Sequence, residues 1–521
     1  MNPKKQDPEI VPGTVSLIGA GPGDPGLITL KGRRRIETAD VIVYDYLAAP
    51  PLLAYARSDA EHIYVGKRGG DHTLSQDGIN ALIVEKAREG KSVARLKGGD
   101  PFIFGRGGEE AEALIAAGIP FEVVPGVTSA IAAAAYAGIP LTHRDYTASV
   151  AFVTGHEDPG KAESNIDWKA LATGIGTVVF LMGVKNLPDI AARLVAHGCN
   201  PETPVALVRW GTTPRQQVVT GTLSTIVEKV RKAGIKAPSV IVVGEVAGLR
   251  KTMQWFEPAR PLLGKRIVVT RARHQASALL QRLADLGANC LECPMIEIRP
   301  PESWDALDAA LGRLPEYQWI IFTSVNGVRF FFDRLFALGR DVRALHRLKT
   351  ACVGPATAEA LREYGLTTDV QPASYHGGAA AKAFADQNVA GQRILLPRAA
   401  KARPVLPDEL RKMGAELDEA AVYQTVQAAV NVDVLKDELA SGAVDMVTFT
   451  SSSTVRNFHK LFPADKSPEA DLNGAAVASI GAITSETARD LGFPIHVEAA
   501  EFTIPGLVDA VCRYFAGQSA G

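Results

Sequence analysis

VSLIGAGPGDPG, residues 15–26, is a short apolar strand that runs directly into a glycine-rich turn. Short apolar runs of this kind alternate with helical patterns along the whole chain, for example at residues 41–44, 92–96, 177–182 and 239–244. Strands that are separated by helices are typical of parallel sheets, because each parallel strand needs a crossover connection. The pattern therefore predicts α/β domains with largely parallel sheets.

The glycine-rich turn matches a dinucleotide-binding loop only in part. A GxGxxG motif that begins at Gly19 would need a third glycine at position 24, where Asp24 stands, and Pro22 lies inside it. A carboxylate there would repel the pyrophosphate that such loops bind through backbone N–H groups. We therefore expect no nicotinamide site, although a plain tight turn stays open as an alternative for this loop alone.

The composition of the 521-residue chain is that of an ordinary globular protein, with 46% apolar and 22% charged residues. A net charge of -1 gives the chain no overall positive potential that would attract nucleic acid or a membrane. An anionic ligand therefore has to be bound by local arginines and lysines. Residues 1–9 lack the apolar segment of a secretory signal, and the apolar run at residues 130–141 is too short to span a bilayer. We expect a cytoplasmic protein without nucleic-acid or membrane partners.

Five cysteines in a chain of this length do not indicate a disulfide scaffold. Cys290 and Cys293 form a CxxC pair, a spacing that occurs in zinc and redox sites. No second pair accompanies it, and side chains three apart on a strand point to opposite faces. The sequence predicts a structural role for both cysteines and no metal.

The second half of the chain contains an internal repeat with an offset of 127 residues. The matched segments are KRIVVTRAR at 265 with QRILLPRAA at 392, LGA at 286 with MGA at 413, FTSVNGV at 322 with FTSSSTV at 449, and CVGPATAEALREYGL at 352 with SIGAITSETARDLGF at 479. Two copies predict two similar α/β lobes with a ligand cleft between them. The proline-containing run WFEPARPLLG marks a boundary, which divides the chain into residues 12–257 and residues 262–521.

Long strings in the first half indicate a family. They are RLKGGDPFIFGRGGEE at 95–110, VPGVTSA at 124–130 and AYAGIPLTHR at 135–144. These strings resemble the tetrapyrrole methylases, and among them the uroporphyrinogen-III C-methyltransferases. The resemblance implies a two-lobed methylase fold that binds S-adenosyl-L-methionine, whose sulfonium cation needs no phosphate cradle. It also implies a set of donor-site residues, namely Pro22, Gly98, Gly99, Asp100, Ile103, Thr128, Ser129, Met182 and Gly211.

The same resemblance implies roles on the acceptor side. A porphyrinogen carries eight carboxylates and needs several cations, for which Arg68, Arg106 and Arg144 are candidates. Asp45 would be the base that takes a proton from the methylated pyrrole, and Lys67 its proton-donating counterpart. Two methylations would yield precorrin-2, and the family suggests a homodimer through this half. We expect no NAD and no metal, because no segment here matches the dinucleotide-binding module that some relatives carry.

Residues 262–521 resemble the uroporphyrinogen-III synthases through KRIVVTRAR, WIIFTSVNGV, CVGPATAEAL, AVYQT and VTFTSSSTV. The resemblance implies a two-lobed α/β fold, whose lobes need not coincide with the sequence repeats, and the conversion of hydroxymethylbilane to uroporphyrinogen III. Tyr423 matches the tyrosine proposed in that family as the acid that helps the hydroxyl leave. Each FTS turn places hydroxyl groups at the start of a helix, where anions bind. The candidate carboxylate partners are Arg271, Ser324, Arg398 and Ser451.

Two other functions stay open on the sequence. One is a methylase that acts on a later corrinoid or on another small molecule. The other is the same methyltransferase fused to a non-catalytic two-lobed ligand-binding module. At the level of single residues, packing roles stay open for Met182 and Tyr423. The end product of the pathway, sirohaem, haem d1 or cobalamin, is also open.

Overall fold

The structure is a computed structural model that describes residues 13–48, 50–66, 74–156, 165–270, 273–372, 383–384, 387–402, 404–427, 432–462 and 467–518. Three predicted site residues, Lys67, Arg68 and Arg271, lie outside the described residues. The chain divides into two compact units. The first comprises Met1–Lys265, Leu283–Asn289 and Phe515–Gly521, and the second comprises Arg266–Arg282 and Cys290–Tyr514. No helix among the described residues is both long and apolar enough to cross a membrane.

The first sheet of the first unit is entirely parallel. Its strands are β1 (Val15–Gly19), β2 (Val41–Tyr44), β3 (Glu61–Tyr64), β4 (Val93–Lys97) and β5 (Phe121–Val124), in the order β3-β2-β4-β1-β5. The helices of this part are α1 (Leu30–Thr38), α2 (Gln76–Arg88), α3 (Gly107–Ala116) and α4 (Ser129–Tyr136). Strands β1 and β4 are buried along their whole length, as parallel strands with both faces covered are.

The second sheet of this unit is mostly antiparallel. Its strands are β6 (Val150–Thr154), β7 (Thr177–Leu181), β8 (Pro204–Arg209), β9 (Gln217–Thr222) and β10 (Ser239–Val243), in the order β6-β7-β10-β8-β9. The helices here are α5 (Trp168–Gly174), α6 (Leu187–Ala196), α7 (Ile226–Lys232) and α8 (Arg250–Met253). Only β6 and β7 pair in parallel. The prediction of largely parallel sheets is wrong here, because a short turn joins β8 to β9 and antiparallel pairing needs no crossover helix.

Two further sheets follow along the chain, almost entirely within the second unit. The strands are β11 (Arg266–Val269), β12 (Asn289–Glu292), β13 (Ile296–Arg299), β14 (Trp319–Phe322), β15 (Lys349–Cys352), β16 (Arg393–Ala399), β17 (Glu416–Gln427), β18 (Met446–Phe449), β19 (Ala476–Ser479) and β20 (Val497–Glu498). The helices are α9 (Arg273–Asp285), α10 (Asp305–Gly312), α11 (Val325–Ala337), α12 (Pro355–Glu363), α13 (Val405–Lys412), α14 (Val432–Ala440), α15 (Ser452–His459), α16 (Pro468–Leu472), α17 (Ala482–Asp490) and α18 (Ile504–Gln518). With strands in all four sheets connected largely through helices, the α/β class is confirmed.

The two sequence repeats exchange their first strands. One sheet has the order β12-β11-β18-β19-β20 and the other has the order β13-β17-β16-β14-β15. The first repeat begins at β11, yet β11 pairs in parallel with β18 of the second repeat. The second repeat begins at β16, which pairs in parallel with β14 of the first. Each sheet is therefore built from both repeats, in agreement with the expectation that repeats and lobes need not coincide.

An aromatic core fixes helix α11 against its sheet. Phe322 at the end of β14 and Phe331 and Phe332 on α11 are fully buried, with ring centroids of neighbouring pairs 5.3 to 6.2 Å apart. Aromatic pairs at such separations add to the free energy of burial. Because α11 is held in this way, the core also determines the position of Ser324, which directly precedes the helix and caps it.

Candidate functional site

Three glycines at the carboxyl ends of β1, β4 and β5 let the backbones of these strands approach closely. A Cβ atom on Gly19 would lie 2.4 Å from Gly126 Cα and 2.8 Å from the Gly99 carbonyl oxygen. Gly21 and Gly99 exchange two backbone hydrogen bonds, with N···O distances of 3.2 and 2.7 Å. Only glycine tolerates this approach, so the opening motif and the turn at residues 98–100 form one continuous backbone surface.

The carboxylate of Asp100 ties this surface together. Its Oδ1 accepts a hydrogen bond from the Phe102 N–H at 2.8 Å, and its Oδ2 accepts one from the Gly126 N–H at 3.0 Å. Both oxygens thus bind backbone groups of the protein itself. This geometry fits a role of Asp100 in shaping the turn, and its direct contact with a methyl donor stays a prediction.

The start of helix α4 lies beside the same turns. Thr128 is buried and caps the helix, with its Oγ1 3.4 Å from the Ala130 nitrogen, and Ser129 is the first helical residue. A Cβ on Gly99, whose φ is +70°, would lie 3.5 Å from the Ser129 nitrogen. A helix N-terminus presents N–H groups and a partial positive charge. The carboxylate of an amino-acid ligand is a suitable partner for such a helix end.

A turn from the second sheet, residues 210–213, reaches the opening motif. Thr212 Oγ1 accepts a hydrogen bond from the Asp24 N–H at 3.1 Å, and a Cβ on Gly211 would lie 2.5 Å from an alanine Cβ of α4. The Tyr136 hydroxyl donates to Asp24 Oδ2 at 2.7 Å. These contacts bring Gly211 close to the other predicted donor-site residues, because α4 and the opening motif both border the turn at residues 98–100.

The last three predicted donor residues, Pro22, Ile103 and Met182, are at least partly accessible. Pro22 is half-buried, Ile103 is 37% exposed and Met182 is 52% exposed. Met182 directly follows β7 and has a φ of +59°, a conformation that few non-glycine residues adopt. Its exposure argues against the alternative role in core packing, and contact with an adenosyl group stays a prediction.

Asp45 directly follows β2, at the same edge of the first sheet. Its Oδ1 accepts a hydrogen bond from the Leu47 N–H at 3.0 Å, and its Oδ2 lies 3.6 Å from Arg95 Nη2. A Cβ on Gly98 would lie 2.6 Å from Leu47 Cβ, so the turn that begins at Asp45 packs against the turn at residues 98–100. Ligand sites form at this edge of parallel sheets because the strands all end there. The structure therefore brings the predicted base and the predicted donor loop together.

A buried charged cluster beside Asp45 was not singled out from the sequence. The side chains of Arg95 and Lys97 on β4 are 3% and 5% exposed, and Glu110 on α3 is fully buried. Glu110 Oε1 accepts hydrogen bonds from Lys97 Nζ at 2.6 Å and from Arg95 Nε at 3.2 Å. Central parallel strands are normally apolar throughout. Two basic residues at alternate positions in such a strand are the sequence signal that indicates a special role.

The two described arginines that are candidates for the porphyrinogen carboxylates are both exposed. Arg106 forms a bidentate pair with Glu109, with N···O distances of 2.9 and 2.6 Å, and its side chain is 56% exposed. Exposed pairs of this kind contribute little to stability, so Arg106 can exchange Glu109 for a substrate carboxylate at small cost. Arg144 lies exposed in a turn between α4 and β6. Their roles in binding stay predictions.

In the second unit, Ser324 and Tyr423 form a pair of hydroxyl groups. Ser324 Oγ accepts a hydrogen bond from the Gly327 N–H at 3.0 Å, which caps α11, and lies 3.1 Å from the Tyr423 hydroxyl oxygen. Tyr423 lies on β17 where its register with β16 shifts, and its ring stacks on Phe330 with centroids 6.0 Å apart. Packing and hydrogen bonding thus both orient Tyr423, and the phenol lies next to a helix N-terminus.

The other two predicted carboxylate partners that the structure describes in this unit, Ser451 and Arg398, differ in whether they are available to a substrate. Ser451 caps α15 through a reciprocal pair of hydrogen bonds with Thr454, so its hydroxyl also lies at a helix start. Arg398 is 8% exposed and forms an ion pair with Glu419. A buried arginine that already has a carboxylate partner is not available to a substrate without breaking that pair. The position of Arg398 therefore does not support direct binding of a substrate carboxylate.

The CxxC pair has no features of a metal site. Cys290 lies on β12, Cys293 follows this strand, and burial raises the pKa of each thiol to about 12. Structural zinc sites normally use four ligands, of which this pair would supply at most two. The described residues contain no group of three or more histidine, cysteine, aspartate or glutamate side chains that could hold a metal ion.

Both halves of the chain match known families. A model of the tetrapyrrole (corrin/porphyrin) methylases matches residues 14–227, and a model of uroporphyrinogen-III synthase HemD matches residues 277–509. The porphyrin biosynthesis protein HemD of Ruminiclostridium josui is 39% identical over 505 residues, which cover 97% of this chain and 99% of that protein. The chain belongs to this family, in which a tetrapyrrole methylase is fused to a uroporphyrinogen-III synthase.

Membership of this fused family confirms the predicted pair of enzyme classes and does not favour the non-catalytic binding module. The methylase half is also 58% identical over 234 residues to the uroporphyrinogen-III C-methyltransferase of Priestia megaterium, which covers 45% of this chain and 98% of that protein. A solved uroporphyrin-III C-methyl transferase from Thermus thermophilus, complexed with S-adenyl homocysteine, is 39% identical and covers 45% of this chain and 99% of that one, with a TM-score of 0.40.

Proposed function

We propose that this chain is a bifunctional enzyme of tetrapyrrole biosynthesis. The synthase half cyclises hydroxymethylbilane to uroporphyrinogen III, and the methylase half methylates this product twice with S-adenosyl-L-methionine to give precorrin-2. The observation that carries this proposal is the similarity to a porphyrin biosynthesis protein along 97% of the chain. The two reactions fit one another, because the product of the second half is the substrate of the first.

The residues at the donor site fit S-adenosyl-L-methionine. This cofactor supplies an electrophilic methyl group on a sulfonium cation and carries a carboxylate, an amine and an adenine. The turn at residues 98–100 offers backbone groups without a basic side chain, and the α4 N-terminus at Thr128 and Ser129 suits a carboxylate. Pro22, Ile103, Met182 and Gly211 would complete the binding surface.

Asp45 is the proposed general base of methyl transfer. The methylated pyrrole must lose a proton, and the Asp45 carboxylate takes it because it lies at the same sheet edge as the donor loop and remains 25% exposed. Lys67 is the proposed proton donor, and Arg68, Arg106 and Arg144 are the proposed partners of the porphyrinogen carboxylates. Proximity of the two bound substrates contributes much of the acceleration.

Tyr423 is the proposed acid of the synthase half. Its phenol protonates the departing hydroxyl of hydroxymethylbilane, and the N-terminus of α11 at Ser324 binds a neighbouring carboxylate of the substrate. Ser451 at the start of α15 offers a second site of the same kind. The rest of the reaction depends on holding the linear tetrapyrrole in one folded shape, so that ring D closes in the inverted orientation.

Homodimer formation through the methylase half and a cytoplasmic location are further parts of this proposal. Light scattering on the purified chain tests the first, since a homodimer has twice the 55.4 kDa mass of one chain. Cell fractionation tests the second.

A single incubation tests the two activities together. The pure protein is given hydroxymethylbilane with or without S-adenosyl-L-methionine, and the oxidised products are separated by chromatography. We expect the type III isomer without the methyl donor and precorrin-2 with it. The type I isomer forms without an enzyme, so type I alone would overturn the synthase assignment. Type III without methylation would overturn only the methylase assignment.

A further inference from the structure

The carboxylate of Glu110 connects three polar side chains inside the methylase half. Its Oε1 accepts hydrogen bonds from Lys97 Nζ at 2.6 Å, from Arg95 Nε at 3.2 Å and from Gln76 Nε2 at 3.2 Å. Its Oε2 is buried and has no hydrogen-bond partner among the residues that the structure describes. A carboxylate inside the fold is costly unless cations pair with it, and here Lys97 and Arg95 provide that pairing.

Asp45 brings a second carboxylate to this cluster of charges. Arg95 and Lys97 carry two positive charges against the one negative charge of Glu110, and the carboxylate of Asp45 supplies the second, 3.6 Å from Arg95 Nη2. Burial and the neighbouring Arg95 lower the pKa of Lys97, as expected where cations are crowded in a poorly solvated place. Arg95 thus stands between two carboxylates, one inside the fold and one at the candidate site.

The location of Arg95 in the sheet makes this arrangement unusual. Arg95 lies beside Leu17 of β1 and Val43 of β2, in the centre of the parallel sheet. Apolar side chains normally fill such positions, and a well-packed apolar residue is often more stabilising than a buried ion pair. Stability alone therefore gives little reason for charges here, whereas perturbed charged groups are concentrated at functional sites.

We propose that Glu110 is a positioning residue for methyl transfer, which acts through Arg95 on Asp45. Glu110 binds Nε of the Arg95 guanidinium and thereby orients its Nη2 towards Asp45 Oδ2, while the Leu47 N–H holds Asp45 Oδ1. One oxygen of the proposed base is thus held by a hydrogen bond, and the other is attracted by the guanidinium as an ion pair. The inference rests on the proposed role of Asp45 as the base.

The test uses the full-length chain with Glu110→Gln, which keeps the shape of the side chain and removes its charge. We expect kcat for methylation of uroporphyrinogen III to fall by about 10- to 100-fold, because a base displaced by a fraction of an ångström works poorly. The KM for uroporphyrinogen III and the calorimetric Kd for S-adenosylhomocysteine should stay within about twofold of the wild-type values, since the substitution does not alter the donor loop. The matched control is Glu112→Gln, an exposed position on the same helix, which should behave as wild type.

A second variant, Arg95→Lys, keeps the charge balance if Glu110→Gln fails to fold. A lysine retains the positive charge but lacks the fork that reaches both carboxylates, so the same loss of kcat at unchanged KM is expected. Wild-type kcat in a folded variant would overturn the inference, as would a parallel loss of kcat and S-adenosylhomocysteine affinity, which indicates general distortion. Asp45→Asn is measured alongside. If it is inactive while the other variants are normal, only the inference fails; if it turns over like wild type, the base assignment fails as well.

Discussion

The hydroxyl oxygens of Ser324 and Tyr423 lie 3.1 Å apart, although 99 residues separate the two positions in the chain. Ser324 is fixed because it caps α11, and Tyr423 is fixed because its ring stacks on Phe330 of the same helix. The contact places a phenol at a helix N-terminus, where a substrate carboxylate can bind next to it.

Replacement of the phenol provides the sharpest test of the synthase half. We expect Tyr423→Phe to slow formation of the type III isomer by about 10- to 100-fold, at or just below the lower limit of the roughly 100- to 10,000-fold that a positioned acid contributes. Tyr364→Phe is a matched control, because this ring packs on Phe332 in the same unit and the substitution keeps the packing. Chromatography of the isomers measures both rates. Unchanged activity of Tyr423→Phe would return Tyr423 to a packing role.

Removal of the proposed base should separate binding from chemistry in the methylase half. We expect Asp45→Asn to bind S-adenosylhomocysteine with unchanged affinity in calorimetry, because the Asp45 side chain contacts Leu47 and Arg95 and is not part of the donor turn. Methyl transfer should be lost, because the amide does not accept a proton. Asp59→Asn, at an exposed position just before β3, is the control. Wild-type turnover between about pH 6 and 9 would contradict the assignment.

The left-handed backbone of Gly99 leads to a prediction on stability and binding. An alanine at a φ of +70° is strained, so Gly99→Ala should lower the free energy of unfolding by about 1–2 kcal/mol and weaken S-adenosylhomocysteine binding. Gly108→Ala in α3 meets no atom within 4 Å and should instead stabilise the chain by about 0.4–1 kcal/mol. Denaturant unfolding and calorimetry measure both effects. Equal free energies of unfolding and equal affinities for S-adenosylhomocysteine in the two variants would count against a strained turn at Gly99.

The synthase half is expected to work without the methylase half. A fragment of residues 262–521 should convert hydroxymethylbilane to the type III isomer without any cofactor, because its reaction needs only a folded substrate and an acid. The segments Leu283–Asn289 and Phe515–Gly521 group with the first unit. In the fragment they lack most of that unit, so we expect the fragment to melt at a lower temperature than the synthase half does within the full chain. The isomer ratio and scanning calorimetry provide the readouts. A folded fragment that yields only type I would contradict the prediction.

The raised pKa of the CxxC thiols predicts slow alkylation. The thiolate is the reactive form, and a pKa of about 12 leaves it scarce until the pH approaches that value. We expect Cys290 and Cys293 to resist iodoacetamide at pH 8 in the folded protein and to react in guanidinium chloride, as mapped by mass spectrometry. Rapid labelling of the folded protein, or zinc that copurifies in stoichiometric amount, would contradict the structural role of this pair.

The predicted donor-site residues could be named from the sequence because their signals are local. Gly98, Gly99 and Asp100 are contiguous, and their turn follows a recognisable buried strand. The hydrogen-bond partners of Glu110 could not be predicted from the sequence. Its contacts with Lys97 and Arg95 depend on how α3 packs against β4, and side-chain pairing between elements leaves no periodic pattern in a single sequence. Arg398 is a comparable case, since its ion pair with Glu419 is visible only in the fold, and its predicted role in substrate binding stays a prediction.

The sequence by itself determined the α/β class, the fusion of two families, the 127-residue repeat and the turns in which the predicted donor-site residues lie, because each of these depends on local patterns or on long matching strings. Only the tertiary structure decided that β11 pairs with β18 and β16 with β14, that the second sheet is mostly antiparallel, and that Asp45 shares Arg95 with Glu110. The physical reason is that every apolar strand offers the same backbone hydrogen-bonding groups, so the sequence of one strand does not reveal which strand it pairs with. Which strands and charges become neighbours is settled by the packing of the whole chain, not by any one segment of it.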